Sequence, residues 1–274
     1  TTGILTLHKD SGVLTEDIIA DVVVNVEHVL HMDPAKTVTV RLVFKNAENN
    51  IGYKLANGGT IVLDSDLNLS GPLEIDDPDV AVTLDLNGYT IKSVYDDPDY
   101  SAAIMVRNGK LIINDSKGTG VVNGGGNIAV WAGRGDAANA GEIYIHGGTF
   151  TTADDSECIY AINKGKVFID GGTFSTGALS DSFAEPQHAV LNLNNNGELG
   201  AKIVVSGGFF KNFNPADNVS ESTTWREANP NQFVAEGYKV VQSGDKYMVV
   251  KEDVGGVATD NATLDTAINN AQNG

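Results

Sequence analysis

Three near-copies of one phrase constrain the fold of this chain more than any other feature. Ile145-His146-Gly147-Gly148-Thr149-Phe150 recurs as Ile169-Asp170-Gly171-Gly172-Thr173-Phe174, and more loosely as Val205-Ser206-Gly207-Gly208-Phe209-Phe210. Each copy follows a short alternating run: Glu142-Ile143-Tyr144-Ile145, Lys166-Val167-Phe168-Ile169 and Lys202-Ile203-Val204-Val205. A strand-turn-strand unit returning every 20–50 residues marks a repeat architecture. The first two copies lie 24 residues apart (145 to 169) and the third 36 further on (169 to 205). The additional twelve residues are the polar, Pro-bearing stretch around Ser180 to Gln187, a loop inserted into one coil.

The residues explain the coil. In an alternating strand the apolar member points inward and the polar one outward. The Gly-Gly pair turns a corner where the backbone needs positive φ or close approach. The Thr-Phe that follows begins the next strand and sends an aromatic ring inward. No coil buries its apolar face alone, so such an array is stable only as a stack. Weaker copies extend upstream: Gly109-Lys110-Leu111-Ile112-Ile113-Asn114-Asp115, then Val82-Thr83-Leu84-Asp85-Leu86-Asn87-Gly88-Tyr89-Thr90-Ile91, then Gly59 to Leu69. Residues from about 55 to about 213 are therefore expected to form six or seven coils, with Ile143, Ile145, Phe150, Val167, Ile169, Phe174, Ile203, Val205 and Phe210 inside.

The segments Gly58 to Leu69 and Val82 to Ile91 and the Gly-Gly-Thr-Phe repeats resemble the pectin-lyase-like right-handed parallel β-helix. They are most similar to its non-catalytic versions in gut bacterial surface proteins and phage structural proteins. The resemblance covers residues 55–251. It implies an all-β chain: a right-handed, single-stranded parallel β-helix with a small N-terminal α+β cap or anchor and a C-terminal β-hairpin cap. It is specific for fold rather than function, because this fold hosts lyases, hydrolases, adhesins and tailspikes.

The chain has 274 residues, 31 of them glycine, with 36 acidic and 18 basic side chains and a formal charge of −18. That balance argues against nucleic acid and against anionic membrane, both of which need a basic footprint. It disfavours acidic polysaccharides for the same reason, unless a cation bridges them. The sequence has no apolar run long enough to span a bilayer, so no membrane insertion is expected. The single cysteine, Cys158, excludes an internal disulfide and a thiolate cluster, and its alternating context reads as a buried, inert thiol. The N-terminus is not a secretory signal; either a signal was removed or there was none.

Four regions follow. Residues 1–50 lack the coil pattern and form a cap or an attachment and oligomerisation element. Residues 51–213 are the β-helix, 214–252 a loop and hairpin cap, and 253–274 a linker and short helix leading toward a further module. Within the first region, Thr15 to His31 has helical spacing of its apolar residues, although its valines also permit a strand. Ile19, Val22, Val26 and Val29 fall on heptad a and d positions, where β-branched residues favour three strands. They are candidates for oligomerisation, with a trimer favoured, or for attachment. The segment 51–59 ends in Asn-Gly-Gly just before the first strand, and the resemblance implies that a helix there opens the stack. Phe233 to Val241 and Lys246 to Val250 flank Ser243-Gly244-Asp245, a hairpin signal.

Chemistry is sparse. A lyase on this fold needs clustered carboxylates holding a cation beside an Arg or Lys base, and the chain has only four arginines, Arg41, Arg107, Arg134 and Arg226. Asp76-Asp77 and Asp96-Asp97 precede proline and read as turns. Asp154-Asp155 with Glu157 would face Arg134 one coil away, the one arrangement compatible with catalysis. His146 occupies a position held by Asp170 and Ser206 in sister coils, and so faces solvent. No catalytic residue, cofactor site or metal site is assigned, and the chain is read as no enzyme. Trp131, Tyr144 and Tyr160 lie on neighbouring coils; they either pack under loops or form an exposed platform for glycans. Arg134-Gly135-Asp136 is an integrin-type tripeptide in a loop, Ala132 to Gly141, placed for display. The expected function is a non-catalytic display protein of a phage particle (a head fibre, decoration or tail protein). Its partners would be virion proteins or glycans and its site the virion surface. A bacterial cell-surface adhesin is one alternative and a polysaccharide lyase or hydrolase the other.

Overall fold

The computed structural model describes residues 47–95, 101–154, 156–178, 190–194, 199–217 and 233–252. The expectations for Ile19, Val22, Val26 and Val29, for Asp96-Asp97, and for residues 253–274 fall outside them. Helix α1 (Ala47–Asn57) ends at Gly58, whose φ of 81° breaks the helical path. Its start at Ala47 lies four residues before the expected one, and Ile51 and Leu55 pack into the core. The strands follow in order: β1 (Gly59–Val62), β2 (Leu67–Leu69), β3 (Leu73–Asp85), β4 (Thr90–Ser93), β5 (Ala102–Asn114), β6 (Val121–Asn123), β7 (Ile128–Ala132), β8 (Glu142–Ile145) and β9 (Thr149–Thr151). After these come β10 (Ile159–Ala161), β11 (Lys166–Ile169), β12 (Thr173–Phe174), β13 (Leu191–Leu193), β14 (Lys202–Val205), β15 (Phe209–Lys211), β16 (Tyr238–Ser243) and β17 (Lys246–Lys251).

The described residues are mostly β around this one helix, and their strand pairing is parallel except at the end. The sister strands pair in the register that the repeats dictate. Lys166 stands opposite both Glu142 and Lys202, and Ile169 opposite Ile145 and Val205. In the second sheet Phe174 stands opposite Phe150 and Phe210. All nine residues expected inside are at most 1% exposed. One apolar cluster runs from Ile51 to Val249. Within it Phe150, Phe174 and Phe210 stack with centroids 5.1 and 5.0 Å apart, close to the ~4.8 Å spacing of neighbouring strands.

The strands form two sheets. The eight-stranded one runs β2-β4-β6-β9-β12-β15-β17-β16. The nine-stranded one divides at β5. Residues Ala102 to Val106 pair with β7, which leads to β10 and β13, whereas Lys110 to Ile113 pair with β8, which leads to β11 and β14. Early in the chain β3 and β5 run through this division as 13-residue strands, with register shifts at Asp76. After β5 the two arms are separate strands. The Ser243-Gly244-Asp245 hairpin forms as expected, and β17 pairs antiparallel to β15, covering the open edge of the eight-stranded sheet.

The three Gly-Gly corners stack in one column. Gly148, Gly172 and Gly208 have φ of 96°, 98° and 97°. Thr173 N–H donates to the Gly148 carbonyl and Phe209 N–H to the Gly172 carbonyl, each at 2.9 Å. At the first glycine the constraint is space: a Cβ on Gly171 would lie 2.2 Å from the His146 carbonyl oxygen.

Candidate functional site

The outward side chains of the nine-stranded sheet carry its candidate chemistry, and its two arms differ. On the arm leading to β13, Met105, Trp131 and Tyr160 stand in register on the outward side. They form a second apolar cluster with Ala102 and Ile128, separate from the main core. Trp131 and Tyr160 are each 7% exposed, meet edge to face at 4.8 Å, and cannot serve as an open platform. Tyr144 does not join them, because it lies on the other arm. Of the two readings of these aromatics, packing holds for Trp131 and Tyr160, and Tyr144 lies on a different surface.

The tripeptide loop is held down. The Arg134 guanidinium lies 4.9 Å over the Trp131 ring, a cation-π contact. Asn139 donates to the Arg134 carbonyl at 2.6 Å, and Asn163, in left-handed conformation at φ 59°, donates to the carbonyls of Gly133, Gly135 and Asp136. The Asp136 carboxylate accepts from Ala138 N–H at 2.8 Å. The loop backbone is therefore clamped from Asn163 and the Arg134 side chain rests on Trp131, while Gly135 and Asp136 stay exposed. Asp154 accepts from Ala178 N–H at 2.8 Å, and Glu157 from the Asn192 amide at 2.6 Å. Asp155 lies outside the described residues. Among the described residues no three His, Cys, Asp or Glu side chains are grouped to hold a metal ion. His146 is solvent-facing, as expected, and its Nδ1 meets Asp170 Oδ1 at 2.7 Å across one rung. Cys158 is fully buried, and burial pushes its thiol up to about 12, against a backbone hydrogen bond from Ser175. Such a thiol is not a nucleophile at neutral pH.

The other arm presents two parallel outward rows that sequence inspection missed. One is Lys110, Glu142, Lys166 and Lys202; the other is Ile112, Tyr144, Phe168 and Val204. All four members of the second row are half-buried. Tyr144 and Phe168 stack at 4.8 Å and 16°. The Lys110 ammonium sits 4.4 Å from the Tyr144 centroid and the Lys202 ammonium 5.4 Å from that of Phe168. Lys166 Nζ binds Glu142 Oε1 at 2.8 Å, and Tyr144 donates to Glu142 Oε2 at 3.2 Å. The Lys166 hydrogen bond holds the Glu142 carboxyl below its ordinary value despite partial burial. Burial, with the Glu142 charge beside it, raises the Tyr144 phenol. The signal was in the sequence. The third residue of each strand run, Ile112, Tyr144, Phe168 or Val204, is apolar where alternation calls for a polar side chain.

No helix among the described residues is long and apolar enough to cross a membrane. Compared with known protein families, curated proteins and solved structures, the chain matches none.

Proposed function

We propose that the stack is a right-handed, single-stranded parallel β-helix of the pectin-lyase-like kind, serving as a non-catalytic display body on the surface of a phage particle. In this reading it is a head fibre, decoration or tail protein whose preceding residues attach or trimerise it while the stack projects. The observation that carries this reading is how the outward side chains are used. They bond to their neighbours one rung above or below: Lys166 to Glu142, His146 to Asp170, Tyr144 on Phe168, Trp131 on Tyr160. Side chains committed in this way stiffen a stack, which is the requirement of a spacer.

Mass spectrometry of purified particles, with and without deletion of residues 1–50, tests the placement. The chain is expected in wild-type particles and lost from them on deletion. A full-length gene encoding a secretion signal or wall anchor would instead place it on a bacterial surface as an adhesin. The enzyme alternative has its own test. Turnover of pectin, polygalacturonate or a capsular polysaccharide, abolished by Asp154→Ala or Arg134→Ala, would displace the display reading.

A further inference from the structure

We propose that the two outward rows of β5, β8, β11 and β14 form a docking strip for an acidic, amphipathic helix of a partner protein. This rests on the strip's own geometry and holds or fails separately from the display reading.

The first argument is charge. The chain as a whole carries −18, yet the row Lys110, Glu142, Lys166, Lys202 places three ammonium groups on four consecutive rungs with one carboxylate among them. Glu142 is matched by Lys166 at 2.8 Å. Lys110 and Lys202 rest on ring faces, which attract a cation without neutralising it. The two rows therefore sum to two positive charges of their own, and the one carboxylate that follows Phe168 on this side, Asp170, is occupied by His146. At physiological salt the field beyond about 8 Å is screened, so a partner feels the strip before it feels the net charge. The complementary occupant is acidic.

The second argument excludes sugar. A pyranose stacks on an open ring face. Here the inner faces of Tyr144 and Phe168 cover each other at 4.8 Å, and the outer faces carry Lys110 and Lys202. What faces out is ring edge flanked by Ile112 and Val204, a surface for apolar side chains. Carboxylates for one row and apolar side chains for the row beside it describe an amphipathic polypeptide. The spacing selects a helix laid along the stack. Rungs repeat at about 4.8 Å, and a helix returns to the same face every ~5.4 Å, so residues one turn apart meet successive rungs.

The test uses the full chain and a fluorescent helical peptide bearing glutamate on one stripe and leucine on the adjacent stripe, read by anisotropy. Polyglutamate and polygalacturonate serve as competitors. The expected result is saturable binding that weakens about tenfold in the Lys110→Glu/Lys202→Glu variant and similarly on raising salt from about 0.05 to 0.3 M. The milder Lys110→Gln/Lys202→Gln variant, checked for unchanged thermal unfolding, is expected to show a smaller loss. Four outcomes overturn the proposal. One is no binding, and another is binding indifferent to these substitutions. The third is polyglutamate or polygalacturonate competing as well as the peptide. The fourth is a concentration-dependent self-association abolished by Lys202→Glu, which would make the occupant a second copy of this chain.

Discussion

The passage from the nine-stranded to the eight-stranded sheet is made in two different ways in the two halves of the stack. Between Leu63 and Gly120 it is made by loops of four to six residues, held by side chains. Asp66 accepts from Thr90 N–H at 2.8 Å. Asp85 accepts from Asn87 and Ser116 N–H at 2.8 and 2.9 Å, and Asp115 from Gly88 and Gly120 N–H at 2.9 and 2.6 Å. Between His146 and Gly208 the same corner takes three residues, held by backbone bonds from Thr149, Thr173 and Phe209 to the rung before. A long corner exposes amides that a carboxylate must satisfy; a short one needs a backbone without Cβ. The rings differ correspondingly. The short-corner half stacks Phe150, Phe174 and Phe210 inside, whereas Ile91 and Val122 occupy the same register before them. The first half adds carboxylate acceptors to a backbone bond of the same kind, which Val121 N–H makes to the Tyr89 carbonyl at 3.0 Å, whereas the second relies on the backbone bond and close packing.

That comparison breaks first at the ring stack. Phe174→Ala removes a fully buried ring sandwiched between two others and is expected to cost about 3–5 kcal/mol in denaturant unfolding. A loss under about 1 kcal/mol would show that the second half does not rest on that column. Glycine corners come next. Gly171→Ala and Gly207→Ala place a Cβ 2.2 and 2.1 Å from backbone carbonyl oxygens and are expected to cost roughly 1–3 kcal/mol. Gly147→Ala meets nothing nearer than 3.5 Å, because its neighbouring rung turns by the longer Asp115 corner. It is expected to change stability by less than about 0.5 kcal/mol, sharpening the contrast within one motif. Equal losses at 147 and 171 would contradict it.

Smaller effects fall on the charged side chains. Asp85→Ala strips two corner amides of their acceptor, at an expected cost of about 1 kcal/mol after allowance for partial exposure. Partial burial pushes the Asp85 carboxyl up, but the Ser116 and Asn87 N–H groups outweigh it and hold the carboxyl below its ordinary 3.8. A depressed carboxyl stabilises the fold fully above its unfolded value and loses that contribution as pH falls through the folded one. Asp85→Ala is therefore expected to flatten the acid limb of the stability-pH curve. Glu142→Gln is expected to cost only about 0.2–1 kcal/mol, since both partners are about a third exposed. It should not move the unfolding of the first half.

The repeats made the inward rows and the corners legible before any coordinates, because Gly-Gly-Thr-Phe encodes both the turn and the ring that follows it. The outward surfaces were less legible. In sequence Trp131 and Tyr160 fit either a packed or an exposed row, because what covers an outward face is set by residues far away in the chain. The Arg134-Gly135-Asp136 loop looked free because Asn163, which clamps it, lies 28 residues from Gly135. The Lys110 to Lys202 strip is legible in the sequence. Its register follows from the same repeats that located the core, and Tyr144 was singled out without its neighbours Phe168 and Lys110.

Amide hydrogen exchange read residue by residue as pH is lowered stepwise from neutral into the acid range tests the division between the halves most directly. Protection of Asn87 and Ser116, whose acceptor is the Asp85 carboxylate, is expected to fall by about tenfold or more once pH has dropped through the depressed folded value of that carboxyl. Thr173 and Phe209, bonded to backbone carbonyls, should keep theirs. Uniform loss across both sets, or loss led by the glycine corners, would contradict the account that carboxylates help hold the corner in one half and that backbone bonds and packing hold it in the other.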